Sequence, residues 1–328
     1  MPTTTTYAIF WLPSGAHFEP GGSDTRYEHL ISRFFRDVGG TPYYNVVTQY
    51  SQRGDGVPVM NGPILNRSTF GGSYVDTRPY PHAGNKSDPV EALDFRDEVM
   101  RALIAKSWTP GIDKMFFVFT AANIEVCDLP LTFGPGLTDK RPCTFTGPPD
   151  VYEFGLCDDR DFYLQGGQPV FYGLEPEASV SRCTIKPTAS PNHDKRADST
   201  IDHTRFDLFE SITDPLGTAW YAGETNGGEI ADDCYKIAAA RKRISLHGHI
   251  YLVGGLWSNV QQTCVWSYGK KKKPEFTTRR HGVREVVGDE DQGTHQGFSA
   301  GPGYDLASGV GTVNATAFVQ ALAHDDGG

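Results

Sequence analysis

The hydrophobic and polar positions of the chain switch between a strand pattern and a helix pattern from the N-terminus onwards. Residues 7–12 form a continuous apolar run, which is typical of a strand buried on both faces. In residues 25–38 the apolar side chains recur at the i, i+3, i+4 spacing, which predicts an amphipathic helix closed by a Gly-Gly pair. Residues 44–50 are typical of a second strand, so the three segments predict a βαβ unit with parallel strands.

Strands and helices continue to alternate along the rest of the pattern. Ser87, Asp88 and Pro89 supply a cap and a first-turn proline for a helix that runs to about Lys106. Another helix is predicted over residues 229–243. Further strands are predicted at residues 73–76, 114–120, 169–173, 249–256 and 262–267. This order predicts an α/β fold, a loop-rich layered domain with a largely parallel or mixed central sheet and helices on both faces.

A helix is also predicted over residues 198–214, and it carries the strongest candidate chemistry. Asp198 and Ser199 are favourable capping residues, and the Asp-Pro pair at Asp214 ends the segment. Four ionisable side chains fall within an arc of about 60° on this helix: His203, Asp207, Glu210 and Asp214. Such a stripe suits a metal or acid–base site, and it is also typical of the solvated face of an amphipathic helix.

Charge and cysteine content narrow the class of protein. The net charge of −10 over 328 residues argues against general nucleic-acid binding, and no apolar run approaches the roughly 18 residues that span a membrane. Six cysteines without a CxxC pair disfavour a zinc knuckle and permit up to three disulfides of open pairing. No signal peptide is visible, but disulfides form in oxidising compartments. We therefore expect an extracellular protein whose signal has been removed or lost.

Several blocks of sequence occur in an order that resembles a known family. The blocks RFDLFE, SITDPLGTAWY, GEIADDC and HGHIYLVGGLWSNVQQTC follow one another, the last ending at Cys264. They resemble bacterial secreted proteins related to the plant Exordium (phosphate-induced) proteins, and the resemblance covers most of residues 7–264. The usual pattern of that group at the helix is SHExxE followed by TDP, which is similar to the ligand helix of zinc metallopeptidases. The resemblance implies a metallopeptidase-like α/β domain over residues 1–268.

The chain departs from this family pattern where the chemistry would lie. Phe206 stands where the pattern has His, and Asp207 stands where it has the Glu general base. Near Cys157 the pattern often has a second His, and Arg160 lies close to that position. The resemblance therefore implies a degenerate zinc site, and with it a secreted binding or structural protein, a pseudoenzyme. The expected partners are an extracellular protein or a cell-wall polymer.

The alternative implied by the same resemblance is an active zinc-dependent hydrolase or peptidase with a rearranged site. Glu210 and Asp214 match the family pattern, and His203 lies one turn upstream of the missing His. In this alternative His203, Glu210 and Asp214 bind zinc, and Asp207 is the catalytic general base.

The tail carries a second resemblance. The segment REVVGDEDQGTHQGFSAGPGYDLASGVG, within residues 284–328, is similar to the C-terminal end of sedolisin serine-carboxyl peptidases. In that family an Asp-Val or Asp-Ile pair and a GxGxD loop enclose calcium, and the matching positions here are Glu285, Val286, Gly301, Gly303 and Asp305. Carboxylate and carbonyl oxygens suit a structural calcium, although a Gly-rich turn before a helix would give the same pattern. The sedolisin nucleophile motif GTSxxxP is absent, so a further alternative is a sedolisin-like relic without activity.

Three smaller features have both a functional and an ordinary interpretation. His247 and His249 alternate on a predicted strand, as ligands do, but such pairs are also common on surfaces. An acidic group near Cys234 either completes a carboxylate cluster with the long helix or forms a charged first helical turn: Glu229, Asp232 and Asp233. Residues 269–283 form a basic segment, which we interpret as a solvated surface loop rather than a nucleic-acid site.

Overall fold

The computed structural model describes residues 1–19, 21–52, 62–128, 142–145, 156–178, 183–186, 189–217, 228–238 and 241–269. The helices are α1 (Asp24–Val38), α2 (Ala92–Lys106), α3 (Lys195–Thr213) and α4 (Asp232–Ala238), with a 3-10 helix at Tyr44–Gln49. The longer strands are β1 (Thr4–Trp11), β4 (Ser68–Asp76), β6 (Lys114–Thr120), β8 (Asp159–Gln165), β9 (Gln168–Glu175), β10 (Arg241–Leu246) and β11 (His249–Gly254). The short strands are β2 (Ser51–Gln52), β3 (Gly62–Pro63), β5 (Val90–Glu91), β7 (Val126–Cys127), β12 (Leu256–Ser258) and β13 (Thr263–Val265).

The central sheet has five strands in the order β4-β1-β6-β9-β8. The first four strands are parallel to one another, and β8 runs antiparallel to β9 at the edge. Helices α1 and α3 pack on one face and α2 packs on the other. The predicted α/β class, with a mixed central sheet and helices on both faces, is therefore confirmed.

Burial of the sheet on both faces explains the continuous apolar runs in the sequence. Along β1, Ala8 and Phe10 enter the core formed with α1 and α3, whereas Ile9 and Trp11 enter the core formed with α2. Neighbouring side chains of a strand point to opposite faces, so a strand covered by helices on both sides needs apolar residues at every position. The strand predicted at 114–120 is observed with those bounds as β6.

The prediction for residues 44–50 is wrong, because they form the 3-10 helix rather than a strand. The Thr41 hydroxyl accepts a hydrogen bond from the Tyr44 backbone N–H at 3.1 Å and starts the turn. The Tyr50 hydroxyl donates to the carbonyl of Trp257 at 2.7 Å, so distant parts of the chain hold the segment in place. The parallel partner of β1 on this side is instead β4, for which the sequence predicted only residues 73–76.

The C-terminal part of the described chain forms hairpins where longer elements were predicted. Helix α4 has seven residues, and the chain then enters β10, which pairs antiparallel with β11. His247 and Gly248 make the turn with φ values of 47° and 92°, the positive values that a tight hairpin turn requires. Strand β12 pairs antiparallel with β13, so the strands predicted at residues 249–256 and 262–267 are divided between two hairpins, β10–β11 and β12–β13.

Three disulfides join the six cysteines: Cys127–Cys143, Cys157–Cys183 and Cys234–Cys264. Six cysteines permit at most three disulfides, and all three are present. They are consistent with a secreted protein. Among the helices of the described ranges, none is both long enough and apolar enough to cross a membrane.

Candidate functional site

The long helix α3 starts a turn earlier than predicted and is buried along almost its entire length. Asp194, not Asp198 or Ser199, caps it, since the Asp194 carboxylate accepts from the Ala197 N–H at 2.9 Å. Asp198 instead accepts hydrogen bonds from the loop before the helix, including one from the Ser190 hydroxyl at 2.5 Å. All four residues of the predicted stripe are at most 9% exposed: His203, Asp207, Glu210 and Asp214. The solvated-face interpretation is therefore wrong.

A cavity of about 550 Å³ lies between α3, the first half of β8 and the segment before α4. Asp159 at the start of β8 pairs with Leu174 near the end of β9, so the cavity lies at the carboxyl end of a parallel strand. This is the edge of an open α/β sheet at which ligands usually bind. Seven carboxylic side chains contribute to its lining: Asp158, Asp159, Asp161, Asp207, Glu210, Glu229 and Asp232.

Arg160 brings a positive charge into this acidic wall. Its Nη2 donates to both carboxylate oxygens of Glu229 at 2.5 Å, and its Nη1 donates to the carbonyl oxygen of Asp214 at 2.9 Å. Its Nε lies 3.8 Å from Glu210 Oε2. Although burial lowers it, the pKa of Arg160 is raised by the charges of Glu229 and Glu210, so the guanidinium stays protonated. A permanent cation therefore occupies the space beside α3.

His203 is bound by protein groups on both ring nitrogens. Its Nε2 donates to the carbonyl oxygen of Cys183 at 2.8 Å, and its Nδ1 lies 3.5 Å from Asp158 Oδ1. Burial lowers the pKa of His203, but the charge of Asp158 and the Cys183 carbonyl outweigh burial and raise it. Both ring nitrogens therefore already have protein partners, and a metal ion would have to displace one of them.

Asp214 is completely buried at the end of α3 and does not line the cavity, in contrast to the other three residues of the stripe. Two groups in the described part of the chain do bring three ligand-type residues within 4.8 Å, but both consist largely of disulfide-bonded cysteines. The predicted set of His203, Glu210 and Asp214 is not among them. Within the described chain, these three side chains therefore do not come together as one group of ligands.

Asp207 has one buried carboxylate oxygen without a hydrogen-bond partner among the described residues. This oxygen, Oδ2, lies over Gly173 of β9, where an added Cβ would come within 3.1 Å. Burial and the charges of Glu175 and Asp158 raise the pKa of Asp207 well above its usual range. Asp207 therefore holds a proton more strongly than an ordinary aspartic acid does.

Glu210 and Glu229 also favour the protonated form more than ordinary glutamates do. Burial and the charge of Asp232 raise the pKa of Glu210 well above its usual range. Burial raises the pKa of Glu229 to about 7, against the opposing effect of the Arg160 guanidinium. Glu210 Oε1 has no hydrogen-bond partner among the residues that the structure describes.

Part of the cavity wall is apolar. Phe206, which stands where the Exordium-like pattern has His, lines the cavity and lies edge-on to the Tyr235 ring with centroids 6.1 Å apart. The Arg205 guanidinium carbon lies 3.9 Å from the centroid of the Phe206 ring and fixes its other side. Leu216 and Phe162 extend the hydrocarbon surface. Residue 206 therefore supplies a hydrocarbon surface to the cavity.

The smaller predicted features have different outcomes. Glu229 and Asp232 line the cavity but Asp233 does not, and Asp232 and Asp233 form the acidic first turn of α4, so each interpretation of this acidic group is observed in part. His247 lies in the β10–β11 turn, and His249 Nδ1 lies 2.6 Å from Asp37 Oδ2 at the surface of α1, away from the cavity. The tail positions proposed for calcium lie outside the described residues: Glu285, Val286, Gly301, Gly303 and Asp305.

Sequence reasoning missed strand β8 and with it Asp158 and Asp159. The signal was present as two strand-like runs on either side of Gly166 and Gly167, which adopt φ values of 55° and 80°. A Gly-Gly pair between such runs is a characteristic hairpin turn. Strand β8 contributes acidic residues to the cavity wall. Because these acids stand before the turn, the apolar pattern typical of a strand is weak there.

Comparisons of the chain with models of protein families, with curated proteins and with solved structures found no match in any of the three. The resemblances to the Exordium-like group and to the sedolisin tail therefore stay predictions. The geometry of the cavity is the basis for assigning a function.

Proposed function

We propose that the protein is an extracellular binding protein whose cavity is a remodelled metallopeptidase-like site, with Arg160 in place of a metal ion. The observation that carries this proposal is the Arg160 guanidinium, which contacts Glu229, Glu210 and the carbonyl of Asp214. Three disulfides support the extracellular location.

An arginine differs from a metal ion in what it can do for the site. It neutralises carboxylates and holds them in a fixed geometry, because a guanidinium stays protonated and presents several N–H donors. It has no open coordination position, so it does not lower the pKa of a bound water as zinc does. The cavity therefore keeps its shape and polarity without a centre for metal-dependent hydrolysis.

A turnover assay tests this proposal. Purified full-length protein is incubated with peptide and ester libraries, with and without a zinc chelator and with added zinc. We expect no hydrolysis that depends on zinc or is abolished by the chelator. Chelator-sensitive hydrolysis that is lost in both His203→Ala and Glu210→Gln would instead support the rearranged zinc hydrolase.

A metal-independent hydrolase is the second candidate, and one observation favours it. Asp207 and Glu210 both line the cavity, and burial raises the pKa of each, so each holds a proton more strongly than an ordinary carboxyl group does. Paired carboxyl groups of this kind carry out general acid–base catalysis. Hydrolysis that survives the chelator and is lost in both Asp207→Asn and Glu210→Gln would support this candidate.

A structural calcium in the tail is a separate proposal, supported only by the sequence match. Equilibrium dialysis of the full chain against calcium tests it, with Asp305→Ala as the variant. Calcium retained by the wild-type protein and lost in the variant supports the site, and equal calcium content in both contradicts it.

A further inference from the structure

Two carboxylic side chains on the α3 wall of the cavity have unused hydrogen-bonding capacity. Asp207 and Glu210 are more than nine-tenths buried and line the cavity. Each keeps one carboxylate oxygen that accepts no hydrogen bond within the described ranges. Buried polar atoms are normally paired, so these two side chains bring to the cavity lining a hydrogen-bonding capacity that the described residues do not use.

The cations around the cavity already have partners of their own. Arg160 is hydrogen-bonded to Glu229, and Arg241 is hydrogen-bonded to Asp202. His203 faces Asp158. In the described chain, Asp207 forms no ion pair, and Glu210 has only the Nε of Arg160 at 3.8 Å.

A buried carboxylate without a compensating charge is costly, so each of these groups either holds a proton or meets an external cation. Asp207 is surrounded by further acids on the neighbouring elements: Glu175 of β9, Asp158 and Asp159 beside it, and Glu210 of its own helix. Glu210 is surrounded by Asp232, Glu229 and Asp158, with Arg160 as the opposing charge. The surplus of negative charge therefore lies on the side of the cavity formed by α3.

The arrangement suits an organic cation better than a metal ion. Asp207 and Glu210 do not belong to any group of three or more ligand-type residues within 4.8 Å in the described chain, as a metal ion would require. The cavity of about 550 Å³ is much larger than a coordination sphere, and Phe206, Leu216 and Tyr235 give it hydrocarbon walls. Aromatic faces also attract ammonium and guanidinium groups.

We propose that this cavity binds an organic cation, an ammonium or guanidinium group on a hydrocarbon stem. The cationic group lies against Asp207 and Glu210, and the stem lies against Phe206 and Tyr235. This inference rests on the proposed binding function and adds the chemical class of the ligand. A lysine or arginine side chain of an extracellular peptide presents the same chemistry as a free amine.

Binding of the cation displaces protons from the cavity. Because burial raises the pKa of both Asp207 and Glu210, the empty cavity holds protons that a bound cation replaces. The affinity for the cation therefore increases with pH while these two groups lose their protons. The affinity for an uncharged ligand with the same hydrocarbon stem should not increase with pH in this way.

Isothermal titration calorimetry on the full-length protein tests the inference with a matched pair of probes, n-pentylamine and 1-pentanol. We expect n-pentylamine to bind at millimolar concentration or below, more tightly at pH 8 than at pH 5.5, and 1-pentanol to bind at least tenfold more weakly. Asp207→Asn and Glu210→Gln each keep the shape of the side chain and should weaken amine binding by roughly tenfold or more. Asp97→Asn, an exposed carboxylate of α2 on the opposite face of the sheet, is the control and should bind as the wild type does.

Three outcomes would overturn the inference. The first is no amine binding at millimolar concentration, and the second is equal affinity for n-pentylamine and 1-pentanol. The third is amine affinity that is unchanged in both cavity variants, provided that circular dichroism shows them folded. Displacement of the amine by an equal concentration of calcium or zinc would show that a metal ion is the ligand. Failure with n-pentylamine in a protein that shows no zinc-dependent turnover would reject only the ligand class, whereas zinc-dependent turnover would reject the binding function itself.

Discussion

Arg160 Nη2 donates to both carboxylate oxygens of Glu229, each at 2.5 Å, in the wall of an acidic cavity. The two residues come from different elements, since Arg160 lies on the edge strand β8 and Glu229 lies before α4. Their pairing joins the sheet to the C-terminal segment and supplies the positive charge beside α3. A charge held in this way gives the cavity a preformed polar wall.

Removal of the guanidinium should destabilise the protein strongly. In Arg160→Met, Glu229 and Glu210 lose their cation and Asp214 loses a donor to its carbonyl oxygen. Breaking a buried ion pair costs about 3–5 kcal/mol, so the free energy of unfolding should fall by that amount in urea denaturation at pH 8. Adding Glu229→Met to Arg160→Met should recover part of the loss. An unchanged unfolding midpoint in the single variant would contradict the role of Arg160.

The free energy of unfolding should fall as the pH rises from about 4.5 to above 7. Burial and the charge of Asp158 raise the pKa of Glu175 well above its usual range, and burial raises that of Glu229 to about 7. Between the unfolded and the folded pKa the folded protein holds protons that the unfolded chain has lost, so stability decreases with pH by up to about 1.4 kcal/mol per pH unit for each group.

Urea denaturation at pH 5, 6, 7 and 8 measures this dependence. Glu175→Gln removes one titrating group and should flatten the slope and raise stability at pH 8. Asp97→Asn, which removes an exposed carboxylate, should leave the slope as in the wild type. A wild-type stability that rises between pH 5 and 8 would contradict the raised pKa values of the buried acids.

Gly173 should not tolerate a larger residue, because its α-carbon faces the Asp207 carboxylate. An added Cβ would lie 2.8 Å from the Phe117 ring and 3.1 Å from Asp207 Oδ2. Gly173→Ala should therefore lower the free energy of unfolding by about 1–3 kcal/mol and weaken n-pentylamine binding through displacement of Asp207. Thermal unfolding and calorimetry measure the two effects, and a variant equal to the wild type in both would show that the carboxylate is not held there.

The Cys157–Cys183 disulfide should matter more for the cavity than the Cys127–Cys143 disulfide. It fixes the start of β8 to the segment whose carbonyl accepts the hydrogen bond from His203. Replacing either pair with alanines should lower stability by about 2–5 kcal/mol. Only loss of Cys157–Cys183 should also weaken amine binding, which calorimetry on both double variants measures. Equal affinity in the two variants would contradict a positioning role for this disulfide.

The sequence predicts the central strands of the sheet well, because the apolar residues that specify each strand follow one another along the chain. The apolar residues of β1 and β6 are continuous in the chain, and their burial on both faces follows directly from that run. The segment at residues 44–50 also has a strand-like pattern but forms a 3-10 helix, which the Thr41 hydroxyl starts and the carbonyl of Trp257, distant in the chain, holds in place. Such tertiary contacts have no signal in a short window of sequence.

The sequence also predicts the α3 wall of the cavity, because the positions of its residues depend only on their spacing along one helix. His203, Asp207 and Glu210 share a helical face by their spacing alone, and all three line the cavity. Arg160 lies far from α3 in the chain, so its insertion among the α3 carboxylates depends on the pairing of β8 with β9. The helical spacing also places Asp214 on the same face, but the end of α3 buries it outside the cavity.

The central proposal is that Arg160 takes the place of a metal ion in the cavity. The most direct test is the zinc content of the full-length protein after purification and extensive dialysis. Mass-spectrometric elemental analysis of the wild type and of His203→Ala, prepared together, supplies the comparison. If the guanidinium stands in for the ion, both proteins contain zinc far below one equivalent. One equivalent of zinc in the wild type that disappears in His203→Ala would contradict this and would establish the rearranged zinc site.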